Sequence, residues 1–163
     1  MMARDFRNFE LSEFFPYQVR VFYAHVSSSI AAVYQAQYDV SPAEWRCLAI
    51  LSADSCLTAA EIVLRSSMDK VTVSRAISKL RQRKWVAERS NRKDKRSKLV
   101  SLTADGQGIL ADLMPKVMMV EKALLNDIDP DDLATFYKVV AQVSENSAAL
   151  KSHDARRMQK ATG

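Results

Sequence analysis

Apolar positions recur along most of this chain at helical spacing, broken by one short stretch where they alternate with polar ones. From about Leu11 to Tyr38 the seam Phe15, Val19, Phe22, Val26, Ser29, Val33 steps by four and three in turn, the spacing of a helix packed against another helix. Pro16 sits in its first turns and sets either the start or a kink. A second helix opens at Ser41-Pro42-Ala43-Glu44, where serine caps, proline suits the first position and glutamate completes a capping box; Trp45, Leu48 and Leu51 then face the core. Thr58-Ala59-Ala60-Glu61 repeats the capping pattern and starts a short third helix, with Ile62 and Leu64 expected in the core. Ser66-Ser67-Met68 make a turn, and Asp69 caps a fourth helix whose Val73, Ala76, Ile77 and Leu80 share one face.

Two strand-like segments follow, Trp85–Glu88 and Leu99–Leu102, separated by a polar basic loop. Thr103 can cap a long helix running past Gly106 and Gly108 toward about Asn126, with Pro115 expected to bend it. Asp129-Pro130-Asp131-Asp132 starts the last helix, with the stripe Leu133, Phe136, Val140, Val143, Ser147, Leu150. Residues 1–10 and 153–163 are expected to be flexible termini. Only three glycines and four prolines suit a mainly α chain.

Two short helices, a turn, a longer helix and a basic hairpin make a winged helix-turn-helix, a module that places one helix in a DNA groove. Charge is concentrated in the same place. From Arg65 to Lys98 there are thirteen Lys or Arg against three acids, a net of +10, while the whole chain is +5, so the remainder is −5. That distribution points to a polyanion partner for this block alone, namely double-stranded DNA. The outward face of the fourth helix carries Lys70, Val71, Ser74, Arg75, Ser78, Lys79 and Gln82, a small, polar, basic surface fit for a groove about 12 Å wide. Ser74 and Arg75 are the candidates for base edges, arginine because it can pair bidentately with guanine. Thr72, Ser66 and Ser67 are candidate phosphate contacts. In the loop, Arg96 is the candidate for the minor groove, with Asp94 orienting it. Arg92, Lys93, Lys95 and Lys98 are suited to phosphates, setting affinity and not sequence preference.

Other classes find little support. The chain has no nucleophile elbow, phosphate-binding glycine loop, metal cluster or paired catalytic carboxylates, and His25 and His153 are isolated, so the expectation is a protein that is not an enzyme and needs no cofactor or metal. Neither a signal peptide nor an apolar run of about 20 residues is present, so the expected location is the cytoplasm, without membrane contact. Cys47 and Cys56 have no metal-ligand neighbours and read as two small buried residues in a reducing cytosol.

Four segments in order, SPAEWRCL at 41–48, LTAAEI at 57–62, MDKVTVSRAISKL at 68–80 and DKRSKLVSLTADG at 94–106, resemble the MarR family of bacterial transcriptional regulators. The Asp94-x-Arg96 wing followed by Leu102-Thr103 and Gly106 is the most diagnostic part. The resemblance implies a homodimer. Helices at 11–38 and 104–152 would dimerise, through Phe15, Val19, Phe22, Leu133, Phe136, Val140 and Val143, and the winged lobe would span 41–103. It also implies a repressor that releases its promoter when a small molecule binds or a cysteine is oxidised. In the family, ligands lodge between the dimerisation helices and the DNA-binding lobe, where Tyr17, Tyr23, His25, Trp45 and Arg46 could hold an aromatic carboxylate. Two residues depart from the family pattern: Lys84 stands where glycine is usual after the recognition helix, and Glu88 where arginine is usual. The competing readings are a structural protein binding DNA by charge alone, and a regulator switched by oxidation of Cys47 or Cys56.

Overall fold

A computed structural model describes residues 9–161, with side chains described as far as Leu150. Most of the expected N-terminal arm, residues 1–8, lies outside the described residues. A short 3-10 turn at Leu11–Glu13 leads into α1 (Phe15–Tyr38), α2 (Pro42–Ala53), β1 (Leu57–Thr58), α3 (Ala59–Ser66), α4 (Lys70–Gln82), β2 (Val86–Ser90), β3 (Lys98–Leu102), α5 (Ala104–Leu124) and α6 (Pro130–Ala161). The chain divides into two units after Leu124.

The helix starts follow the local chemistry. Pro16 sits in the first turn of α1, where its missing N–H costs nothing, so it opens the helix and does not kink it. Both capping boxes form: Ser41 with Glu44 at α2, and Thr58 with Glu61 at α3. Asp69 accepts from the Thr72 N–H at 2.9 Å and from its hydroxyl at 2.6 Å, which starts α4. These hydrogen bonds hold the Glu61 and Asp69 carboxyls below their ordinary range. The capping of α3 and α4 is therefore complete at neutral pH and fades only as the solution is acidified through those lowered values.

Pro115 lies within α5 without ending it. The α6 backbone stays helical to Ala161, past the end expected near Ser152, because no proline or glycine intervenes before Gly163 and Ala, Lys, Arg, Met and Gln are strong helix formers. The hairpin is longer than expected at both strands, and a third strand joins it. Leu57 pairs with Val100 and Thr58 with Leu99, giving the antiparallel order β1-β3-β2.

One core fills the winged lobe. Leu48 and Leu51 of α2, Ile62 of α3, Val73, Ile77 and Leu80 of α4, and Leu57, Val86 and Val100 of the sheet pack together with Leu110 of α5. Each such side chain contributes about 1.5–3 kcal/mol on leaving water. A second cluster, Tyr34, Val40, Leu113 and Val117, seats the end of α1 on α5. Trp45 and Trp85 touch both clusters. Leu64 is not in the core: it is 84% exposed, because it lies two residues, about 200°, round α3 from the fully buried Ile62.

Candidate nucleic-acid interface

The turn between α3 and α4 is made by residues that use their own polar groups. Ser66 is 3% exposed; its hydroxyl donates to the Val63 carbonyl and accepts from the Met68 N–H, both at 3.3 Å. Ser66 therefore builds the turn and is buried away from any phosphate, a correction to the expected contact. Ser67 is exposed, with a left-handed backbone (φ 54°) that reverses the chain. Along α4 the inward set is as expected: Val73, Ala76, Ile77 and Leu80 are buried. Lys70, Val71, Ser74, Arg75 and Lys79 are exposed together on the other side, and Ser78 is half-buried. The Thr72 hydroxyl is committed to Asp69.

In the wing, Asn91 and Asp94 shape the loop between β2 and β3. Asn91 donates to the Ser97 hydroxyl at 2.9 Å and accepts from the Lys93 N–H at 3.0 Å; Asp94 accepts from the Arg96 N–H at 3.0 Å. Asp94 thus holds the Arg96 backbone, and no ion pair engages the Arg96 guanidinium among the described residues. Between the start of α3 and the wing lies a concavity of about 1340 Å³ lined by Arg89, Arg92, Lys93, Arg96 and Lys98 among others. Among the described residues Lys70, Arg75, Lys79, Arg92, Lys93, Lys95 and Arg96 make no ion pair, whereas Lys98 and Arg81 both pair with Glu88, at 3.1 and 3.0 Å.

The seam behind the interface is tight. Lys84 takes a left-handed conformation, φ 62°, which glycine would adopt more easily at this position. Thr103 closes this turn from the other side: its hydroxyl donates to the Lys84 carbonyl at 2.6 Å and accepts from the Gly106 N–H at 3.1 Å, while its own N–H reaches the Trp85 carbonyl at 3.0 Å. Arg83 ties the same corner to the end of α1. It donates to the Tyr38 and Asp39 carbonyls, both at 2.7 Å, and its guanidinium lies 4.9 Å over the Trp85 ring.

A second arginine links α1 to the turn of the DNA-binding lobe. Arg46 donates to the Tyr23 hydroxyl at 2.8 Å and to the Ser66 carbonyl at 3.2 Å. Beside it Trp45, half-buried, stacks on Tyr34 with ring centroids 5.5 Å apart. Burial raises the Tyr34 phenol above its ordinary pKa, with Tyr23 adding to that and Arg46 opposing it. Of the expected effector residues, the structure therefore groups Tyr23, Trp45 and Arg46, and adds Tyr34. Tyr34 was legible in principle, since it lies eleven residues, three helical turns, after Tyr23. Tyr17 lies about 9 Å before Tyr23 along α1, under the Arg20 guanidinium, and His25 is exposed.

The two cysteines differ. Cys47 is fully buried, and burial pushes its thiol up to about 11, which disfavours the reactive thiolate. Cys56 is half-buried, with Arg89 Nη2 3.3 Å from its sulfur. No helix among the described residues is long and apolar enough to cross a membrane.

Residues 38–97 match the model of the MarR family. The HTH-type transcriptional regulator YwoH of Bacillus subtilis is 31% identical over 93 residues, which cover 57% of this chain and 67% of YwoH. A MarR family regulator from Silicibacter pomeroyi superposes with a TM-score of 0.72 at 26% identity, over 84% of this chain and 91% of that one. The structure of BpsR from Bordetella bronchiseptica, whose DNA binding is regulated by 6-hydroxynicotinic acid, superposes with a TM-score of 0.76 at 20% identity, over 83% and 96% of the two chains. The protein belongs to the MarR family of winged helix-turn-helix, DNA-binding transcriptional regulators.

Proposed function

We propose that this regulator is a homodimeric, cytoplasmic repressor that binds a pseudo-palindromic operator and releases it when a small aromatic acid is bound. The observation that carries the DNA-binding part is how the charge is used. Of the three acids in the basic block, Asp69 caps α4, Asp94 shapes the wing and Glu88 is held by two cations, whereas seven cations on the outer face of α4 and the wing have no ion pair among the described residues. Two α4 helices would enter half-sites about 34 Å apart, with Ser74 and Arg75 on base edges and Val71 available to a thymine methyl. Arg96 would enter the flanking minor groove, and Lys70, Lys79, Arg92, Lys93 and Lys95, with Ser67, would meet phosphates, while Lys98 is held by Glu88.

The effector would sit at Arg46. A carboxylate there competes with the Tyr23 hydroxyl and the Ser66 carbonyl for one guanidinium, and an aromatic ring finds Trp45 and Tyr34 beside it. Because the Ser66 carbonyl belongs to the helix-turn-helix turn, loss of that bond gives the ligand different affinities for the DNA-bound and free forms, the condition for release. The regulation of BpsR by an aromatic acid supports the ligand class.

The test is selection of bound DNA from a random pool with the purified protein. An enriched pseudo-palindrome is the expected result; binding without enrichment, lost in moderate salt, would instead favour packaging by charge. On the selected site, Arg75→Ala is expected to cost about 1–3 kcal/mol and to relax one base position, whereas Lys95→Ala weakens all sequences alike and lowers the salt slope by about one. Titrations on operator and random DNA over a salt series separate the two effects, and equal losses from both variants on both DNAs would remove the division of labour.

A further inference from the structure

A carboxylate stands where a DNA strand must pass. With α4 in a major groove and the wing in the neighbouring minor groove, the sugar-phosphate strand that separates those grooves runs between α4 and the wing. That space is a cleft of about 250 Å³, lined by Ser74, Ser78 and Arg81 of α4 and by Glu88 and Lys98 of the sheet. Ser74, Ser78 and Arg81 form one stripe at helical spacing, so the cleft is continuous with the face that reads DNA. Glu88 accepts from Arg81 at 3.0 Å and from Lys98 at 3.1 Å, and its side chain is only 20% exposed beneath them. Val100 opposes Glu88 on β3, so Lys98 is its diagonal neighbour on the same sheet face.

From this juxtaposition we infer that Glu88 sets the strength of sequence-independent DNA binding, by occupying two cations that would otherwise serve the crossing phosphates. The three groups together carry +1, and without the carboxylate charge they carry +2. Both cations lie at the surface, 53% and 65% exposed, so their pairing with Glu88 contributes little to folding and its chief consequence is for the polyanion that approaches. A phosphate contact is blind to sequence, and therefore Glu88 tempers affinity for operator and bulk DNA alike, keeping the protein from being held on non-target duplex. The inference rests on the docking of α4 and the wing proposed above.

The experiment compares the natural protein with Glu88→Gln and Glu88→Ala, measuring affinity for the selected operator and for a random duplex across a salt series. Glutamine keeps an acceptor for Arg81 and Lys98; alanine removes the brace. Both variants are expected to bind both DNAs several-fold more tightly at low salt. Each should steepen the dependence of log affinity on log salt by about one per subunit, so that the gain shrinks roughly threefold per subunit between about 50 and 200 mM salt. An unchanged slope in both variants would overturn the inference. So would loss of operator affinity in Glu88→Ala alone at unchanged slope, which would make Glu88 a brace for the wing. Failure of the docking itself has a different signature: Arg75→Ala and Lys95→Ala would leave all DNA binding intact, whatever Glu88 does.

Discussion

Replacing Gly106 by alanine should destabilise the protein by about 3 kcal/mol or more, while the same change at Gly108, two residues further along α5, should stabilise it by up to about 1 kcal/mol. Neither glycine has a positive φ, so backbone freedom is not the issue. The difference is space. A Cβ on Gly106 would lie 2.0 Å from the Trp85 carbonyl oxygen and 2.9 Å from its carbon, whereas one on Gly108 meets nothing within 4 Å. The obstacle at Gly106 cannot rotate away, because it is backbone and the Trp85 oxygen is already bound by the Thr103 N–H at 3.0 Å. Relief requires moving the start of α5 off the Lys84–Trp85 corner. That motion would break the Thr103 bonds to Lys84 and Trp85 and shift the root of β2. Alanine's better helix propensity, about 1 kcal/mol, operates at both positions and decides only at Gly108. Thermal unfolding at fixed protein concentration reads both effects, with Gly106→Ala lowering the midpoint by roughly 10 °C. Equal shifts for the two variants would show that the corner yields at little cost.

The same corner shows where sequence reasoning reaches and where it stops. Gly106 and Thr103 were legible as parts of a motif, but the reason for the glycine is a carbonyl twenty-one residues earlier that no local pattern announces. The caps at Ser41, Thr58 and Asp69 were fully legible, because a cap and its N–H lie within one turn and chemistry alone pairs them. Burial failed at Leu64, where an apolar residue was assigned inward by type although helical geometry turns it away from Ile62. Strand β1 was missed because two residues carry no periodicity, and only pairing with Leu99 and Val100 makes them a strand.

At the interface, residue type identified the cations, and long-range contacts then sorted them. Lys98 is engaged by Glu88 and Arg96 is not, a distinction set by sheet register and by the reach of Arg81 from α4. The two arginines that connect α1 to the DNA-binding lobe, Arg46 and Arg83, act mainly through main-chain carbonyls, at Ser66, Tyr38 and Asp39. Carbonyl acceptors are present at every residue, so their selection is invisible until the chain is folded.

Putting arginine at both Val140 and Val143 should convert the protein to monomers and reduce its operator affinity by about two to four orders of magnitude. The basis is an apolar face of α6 that its own unit does not cover. Phe136 is 44% exposed, Val140 46% and Val143 37%, at intervals of four and three. On α1, Phe15, Val19 and Phe22 are about half exposed at the same spacing. Stripes of this kind along two helices are the surfaces on which α-helical dimers close, and members of this family act as dimers. Two guanidinium groups buried against a second copy would carry no partner charge, a cost of several kcal/mol that a dimer interface of valines cannot absorb. The α4 face and the wing are unaltered by the change, so each monomer keeps its contacts to a single half-site. What disappears is the tethering of the second half-site to the first, and with it the cooperative part of the affinity. Light scattering gives the mass and titration gives the affinity. The expected result is a folded monomer whose binding to random DNA falls much less than its binding to operator. A double variant that remains dimeric with operator affinity intact would move the dimer contact away from Val140 and Val143.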